Sequence, residues 1–132
     1  MTKVKVNYLE DLRTSSLHLD SNSIIETDAP KDNTGLGRKF SPTDLVASSL
    51  GSCLLTIMGI VAKRNNFEYN NTYADIEKEM SKKPRRISKI NIEVFFDKHL
   101  SVDEKTILIR SCKHCPVHNS LNKDIEININ FN

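Results

Sequence analysis

Ser41-Pro42-Thr43-Asp44-Leu45-Val46-Ala47-Ser48-Ser49-Leu50-Gly51-Ser52-Cys53-Leu54-Leu55-Thr56-Ile57-Met58-Gly59-Ile60-Val61-Ala62-Lys63-Arg64 is the stretch whose reading decides the fold. It opens with a serine able to cap a helix, a proline suited to the first helical position, and an acid in the first turn. Val46, Leu50, Cys53–Leu54, Ile57–Met58 and Val61 then recur at spacings of three and four. That periodicity predicts a central helix of about 24 residues. Ala47, Ser48, Ser49, Gly51 and Ser52 make its first half small-sided, so another backbone can come close. Gly51 is otherwise a poor choice inside a helix. Leu45–Val61 is apolar nearly all round, more than a small domain can cover. A second copy of the chain is the expected cover, which predicts a homodimer.

Outward from this helix the pattern changes to period two. On the N-terminal side Val4, Val6 and Tyr8 alternate with polar residues, and Leu17, Leu19 and Ile24–Ile25 follow. This predicts half-buried antiparallel strands. Ala29-Pro30-Lys31-Asp32-Asn33-Thr34-Gly35-Leu36-Gly37 gathers turn formers into a long loop. On the C-terminal side Thr72, Ala74 and Ile76 form one strand, and Ile90, Ile92, Val94 and Phe96 form another. Lys82-Lys83-Pro84-Arg85-Arg86 between them reads as a solvated hairpin connection. Ser101-Val102-Asp103-Glu104 is a capping box opening a shorter helix, and Cys115-Pro116 starts one more turn. Ile125, Ile127, Ile129 and Phe131 close the chain as a strand. The order predicts an α+β fold, antiparallel sheets with a long central helix, in a single domain spanning 1–132.

Composition narrows the function classes. The chain has 132 residues, 38% hydrophobic and 27% charged, with 19 Lys+Arg against 17 Asp+Glu and a net charge of +2. So even a balance does not point to nucleic acid or an anionic membrane as partner. The longest apolar run, near Leu54–Ala62, falls short of the roughly 20 residues of a membrane span. The opening Met1-Thr-Lys-Val has no apolar export signal, which predicts a cytoplasmic protein. No nucleotide, haem or flavin fingerprint occurs, so no organic cofactor is expected.

Three cysteines, an odd number at low density, do not suit a disulfide framework. Cys112-Lys-His-Cys115-Pro-Val-His118 offers Cys112, His114, Cys115 and His118 as nominal zinc ligands, or a Cys-x-x-Cys dithiol. Zinc sites usually join two distant pairs, and a thioredoxin-type pair opens a helix, whereas Cys112 would end one. Cys112 reads instead as an apolar residue on the helix face of Ile109. Cys115, before Pro116, would sit at a helix cap whose free N–H groups favour a thiolate. Cys53 lies mid-helix, either a core residue or a reactive thiol served by a cation such as Arg13 or Arg38.

Phe40-Ser-Pro-Thr-Asp-Leu-Val-Ala-Ser-Ser-Leu-Gly-Ser-Cys53 paired with Cys115-Pro-Val-His-Asn-Ser-Leu121, preceded by Thr27-Asp-Ala-Pro30, resembles the OsmC/Ohr superfamily over nearly the whole chain. The resemblance implies an intertwined homodimer with sites at the subunit interface, reducing organic hydroperoxides by thiol chemistry. It assigns Cys53 as the peroxidatic thiol and Cys115 as the resolving one, with an external dithiol as reductant. It further implies an activating arginine, Arg13 by preference and Arg38 otherwise, held by an acid near the start of the central helix. Thr43 stands where the family's glutamate is expected, and Asp44, one residue on, is the candidate for that acid or else a capping acid that favours the helix dipole. That departure leaves a second reading, a non-catalytic stress or ligand-binding protein on the same fold.

Overall fold

In the computed structural model, which describes residues 1–132, the chain divides into two compact units, Met1–Val46 and Ala47–Asn132. The first carries β1 (Val4–Leu9), β2 (Arg13–His18) and β3 (Ile24–Asp28), an antiparallel meander in that order. Asp11 and Leu12 take positive φ to close the first hairpin. The predicted long loop follows and holds one 3-10 turn, Lys31–Asn33. Val4, Val6 and Tyr8, expected to be half-buried, are 54%, 60% and 70% exposed in this chain. Their face is apolar and open.

The long helix α1 (Pro42–Arg64) runs from the first unit into the second. Its start is the one the sequence dictates. Ser41 Oγ accepts from the Asp44 N–H at 3.1 Å, and Asp44 Oδ2 accepts from the Ser41 N–H at 2.8 Å. Two otherwise unbonded donors are thereby satisfied. Ala47, Leu50, Gly51, Leu54, Met58 and Ala62 form the buried face. At Gly51 a Cβ would run into the Ile76 side chain, which explains a glycine in mid-helix. As a whole, α1 reaches the length and apolar content of a membrane span, which run-counting missed. Serines, threonine and glycines interrupt its apolar runs without adding charge. Only a third of its most apolar window is buried by the chain itself, and Ile60 is 45% exposed.

The second unit continues with β4 (Tyr73–Lys82) and β5 (Arg85–Phe95), an antiparallel hairpin turning at Lys83-Pro84. α2 (Val102–Ser111) opens on the predicted capping box, with Ser101 Oγ on the Glu104 N–H and Glu104 Oε2 on the Ser101 N–H. A 3-10 turn, Cys112–His114, leads to α3 (Pro116–Ser120) and then to β6 (Glu126–Phe131). The sheet order is β4-β5-β6, and β6 pairs with β5 in parallel. This corrects the all-antiparallel expectation. The chain leaves β5, crosses through two helices and re-enters alongside it, a connection that suits parallel strands. The α+β class stands.

Register sorts the faces of this sheet. Ile76, Ile92 and Ile129 share one row, and Ala74, Val94 and Phe131 the next, all on the apolar face. Asp75, Glu93 and Asn130 share a row on the other, where Asn130 and Asn132 both donate to Glu93. Ile90, Ile92 and Val94 are fully buried, each worth about 1.5–3 kcal/mol over exposure.

Candidate active site

Cys53 stands beside the buried face of α1, half-buried, one residue before the fully buried Leu54. Cys115 is fully buried and is the N-cap of α3. Pro116 occupies the first helical position, and Cys115 Sγ accepts from the His118 N–H at 3.4 Å. The fold brings these two distant cysteines close enough for the Cys53 thiol to act on Cys115. Burial pushes the Cys115 thiol up first, and the contact with Cys53 pushes it further. The N–H groups of His118 and Val117 pull the other way without prevailing. The expectation of an acidic thiol at the cap is therefore corrected: a single turn of helix offers less than burial takes away. Cys115 therefore keeps its proton at neutral pH.

Cys112 is buried as expected, but on the face of Leu108 rather than Ile109, which is 38% exposed. Its Sγ–H points to the Leu108 carbonyl at 3.6 Å, the residue one turn back. Burial, then the charge of Cys115, pushes its thiol up to about 11. Tyr69 lies close enough to sense Cys112, and burial pushes its phenol up to about 12. Its hydroxyl is buried without a hydrogen-bond partner. No group of three or more His, Cys, Asp or Glu side chains is arranged to hold a metal ion. Along the elements that carry the cysteines, Ile57 and Val117 are half-buried, whereas Leu50 is wholly enclosed in the core.

The two candidate arginines belong to the first unit, and their settings differ. Arg13 opens β2, opposite Asp28 in register, with only a loose 3.9 Å pair to Glu26. Its Nε is buried and unpartnered. Arg38 is tightly held. Its backbone N–H and Nε both donate to Asp28 Oδ2, at 2.9 and 2.8 Å, and Nη2 reaches Asp11 Oδ2 at 3.0 Å. The Asp28 carboxylate is fully enclosed. Hydrogen bonds from Arg38, chiefly, and the charges of Arg38 and Arg13 hold it down at about 2. Sequence reasoning passed over Asp28, because an acid before Ala29-Pro30 reads as a turn former. The available signal was Thr27-Asp-Ala-Pro30 at a strand end. Asp44 serves the helix start through Ser41, and Thr43 Oγ1 lies 3.2 Å from Ser41 Oγ.

Residues 34–130 match the family model described as OsmC-like protein. A solved protein of Psychrobacter arcticus 273-4, provisionally assigned as an osmotic stress induced and detoxification response protein, is 44% identical. The match covers 100% of this chain and 96% of that one, with a TM-score of 0.93. The organic hydroperoxide resistance protein OsmC of Legionella pneumophila superposes with a TM-score of 0.78 at 13% identity, over 99% of this chain and 96% of that one. The organic hydroperoxide resistance protein OhrB of Bacillus subtilis gives 0.68 at 16% identity, over 100% and 98%. Those two likenesses are of fold. None of the curated proteins matches the chain in sequence.

Proposed function

The chain belongs to the OsmC-like family, and from that premise we propose that it reduces organic hydroperoxides in the cytoplasm with Cys53 and Cys115. The observation that supports the proposal is the nearness of these two thiols, one on the central helix and one at a distant helix cap, close enough for Cys53 to act on the titration of Cys115. In the first step the Cys53 thiolate attacks the terminal peroxide oxygen. The O–O bond breaks, alcohol leaves after taking a proton, and Cys53 becomes a sulfenic acid. Cys115 then attacks that sulfur, water leaves, and a Cys53–Cys115 disulfide forms. An external dithiol restores both thiols by exchange. The nearness of the two thiols means the second step needs little chain movement.

Arg13 is the proposed cation for the attacking thiolate and the departing alkoxide. Its unpartnered Nε supports this choice over Arg38, whose donors are already engaged by Asp28 and Asp11. Asp28 holds Arg38 and stands opposite Arg13 in register, adding a negative charge beside it, and Asp44 sets the first turn of α1. The exposed apolar face of β1 and the uncovered side of α1 around Ile60 support a homodimer. An apolar cover there also suits a substrate with an organic group.

The test uses single variants with an organic hydroperoxide and a dithiol reductant. Cys53→Ser abolishes turnover, while Cys115→Ser still yields a sulfenic acid that dimedone traps on Cys53. The reverse pattern refutes the role assignment. Absence of turnover with several dithiols, together with a hydrophobic molecule retained through purification, establishes the binding-protein reading instead.

A further inference from the structure

Cys115 interacts with both other cysteines, and the proposed peroxide reaction uses only one of them. We propose that Cys112 is a second resolving thiol, which takes Cys115 out of its disulfide with Cys53 and returns Cys53 to the reduced state. This rests on the Cys53–Cys115 chemistry proposed above and extends it by one step.

Cys112 and Cys115 begin and cap one 3-10 turn, closed by the Cys115 N–H on the Cys112 carbonyl at 3.1 Å. Such a closure holds the two Cα atoms within roughly 7 Å. A disulfide spans roughly 4.4–6.8 Å between Cα atoms. In 3-10 geometry, side chains three apart lie over one another. The charge of Cys115 acts on Cys112, and Cys53 acts in turn on the Cys115 thiol. Cys115 therefore has Cys112 one turn away along the backbone and Cys53 near enough to act on its thiol. Tyr69 adds a buried, unpartnered hydroxyl near Cys112, a ready donor to a thiolate forming there.

The step is an exchange and balances without a co-reactant. Cys112 gives up its proton, and its sulfur attacks Cys115 Sγ. The Cys53–Cys115 bond breaks with its electron pair going to Cys53, which takes up a proton. The product is a Cys112–Cys115 disulfide beside a free Cys53. One protomer can then consume a second peroxide before any reductant arrives. Burial of Cys112 makes its thiolate scarce at neutral pH, so this transfer follows the first linkage slowly.

The experiment treats the reduced full-length protein with one equivalent of cumene hydroperoxide, without dithiol, quenches with alkylating agent over time, maps the peptides, and then adds a second equivalent and follows its consumption. A Cys53–Cys115 linkage that gives way to Cys112–Cys115, with Cys53 again alkylated and a second equivalent consumed, is the expected result. Cys112→Ser should freeze the first linkage and stop uptake at one equivalent. Tyr69→Phe should slow only the second phase, by about tenfold; an unchanged second phase removes Tyr69 from the step. A wild-type protein that keeps Cys53–Cys115 while Cys112 stays fully alkylatable overturns the relay and leaves the peroxidase reading intact. Formation of Cys112–Cys115 in Cys53→Ser overturns both.

Discussion

Replacing Asp44 by alanine separates two roles for that carboxylate, helix capping and direct catalysis. The exchange removes the 2.8 Å bond from the Ser41 N–H and an anion in the first turn of α1. Ser41 Oγ remains to accept from the N–H of residue 44. Loss of half a capping box costs about 1 kcal/mol, and loss of the charge at the helix start about 0.3–1 kcal/mol more. The sum, about 1.5 kcal/mol, lowers the melting temperature by about 5 °C for a chain of this size. Circular-dichroism melts and hydroperoxide consumption, measured on the same preparation well below the transition, decide the matter. The capping account predicts the lower melting temperature with turnover within about threefold of the parent. An unchanged melting temperature with turnover down about a hundredfold or more would refute it, since that is the scale of a lost catalytic acid or electrostatic group.

Three further outcomes follow from the structure. Asp28 is held at about 2 against an ordinary 3.8, so its stabilising contribution is complete above pH 3.8 and is lost as pH falls through 2. Urea midpoints between pH 2 and 5 should therefore fall more steeply in the parent than in Asp28→Asn, with Asp97, lowered similarly by His99, supplying the slope common to both; equal slopes contradict the Asp28–Arg38 pairing. Leu54→Ala opens a cavity at a fully buried position and should cost about 3–5 kcal/mol in urea unfolding, whereas a loss under about 1 kcal/mol would deny Leu54 its place in the core. Ile60→Asp places a charge on the uncovered side of α1 and should shift sedimentation from dimer to monomer, while an unchanged dimer would move the interface elsewhere.

Most of the fold was legible because its signals are local. Ser41, Pro42 and Asp44 mark the start of α1, and apolar spacing carries it to Arg64. Ser101 and Glu104 mark α2 in the same way. The direction of β6 was not legible, because alternation at Ile127, Ile129 and Phe131 identifies a strand and its faces but not its sense. Nor could spacing place Cys53 against Cys115; that proximity is tertiary, and only the resemblance anticipated it. The protonation balance at Cys115 was misread for a related reason. A cap is visible in sequence, whereas the burial that outweighs it depends on the rest of the fold. Asp28 was missed because its partner Arg38 stands ten residues away across the loop, and no local pattern ties them.

The account stands or falls on what the first molecule of peroxide does to the reduced protein. Rapid quenching after one equivalent of an organic hydroperoxide, followed by mass-spectrometric mapping of the earliest linked peptides, reads this directly. The account predicts that the first crosslink joins the Cys53 peptide to the Cys115 peptide, with two thiols lost per chain. Unmodified thiols after exposure, or oxidation that leaves Cys53 untouched, would contradict it.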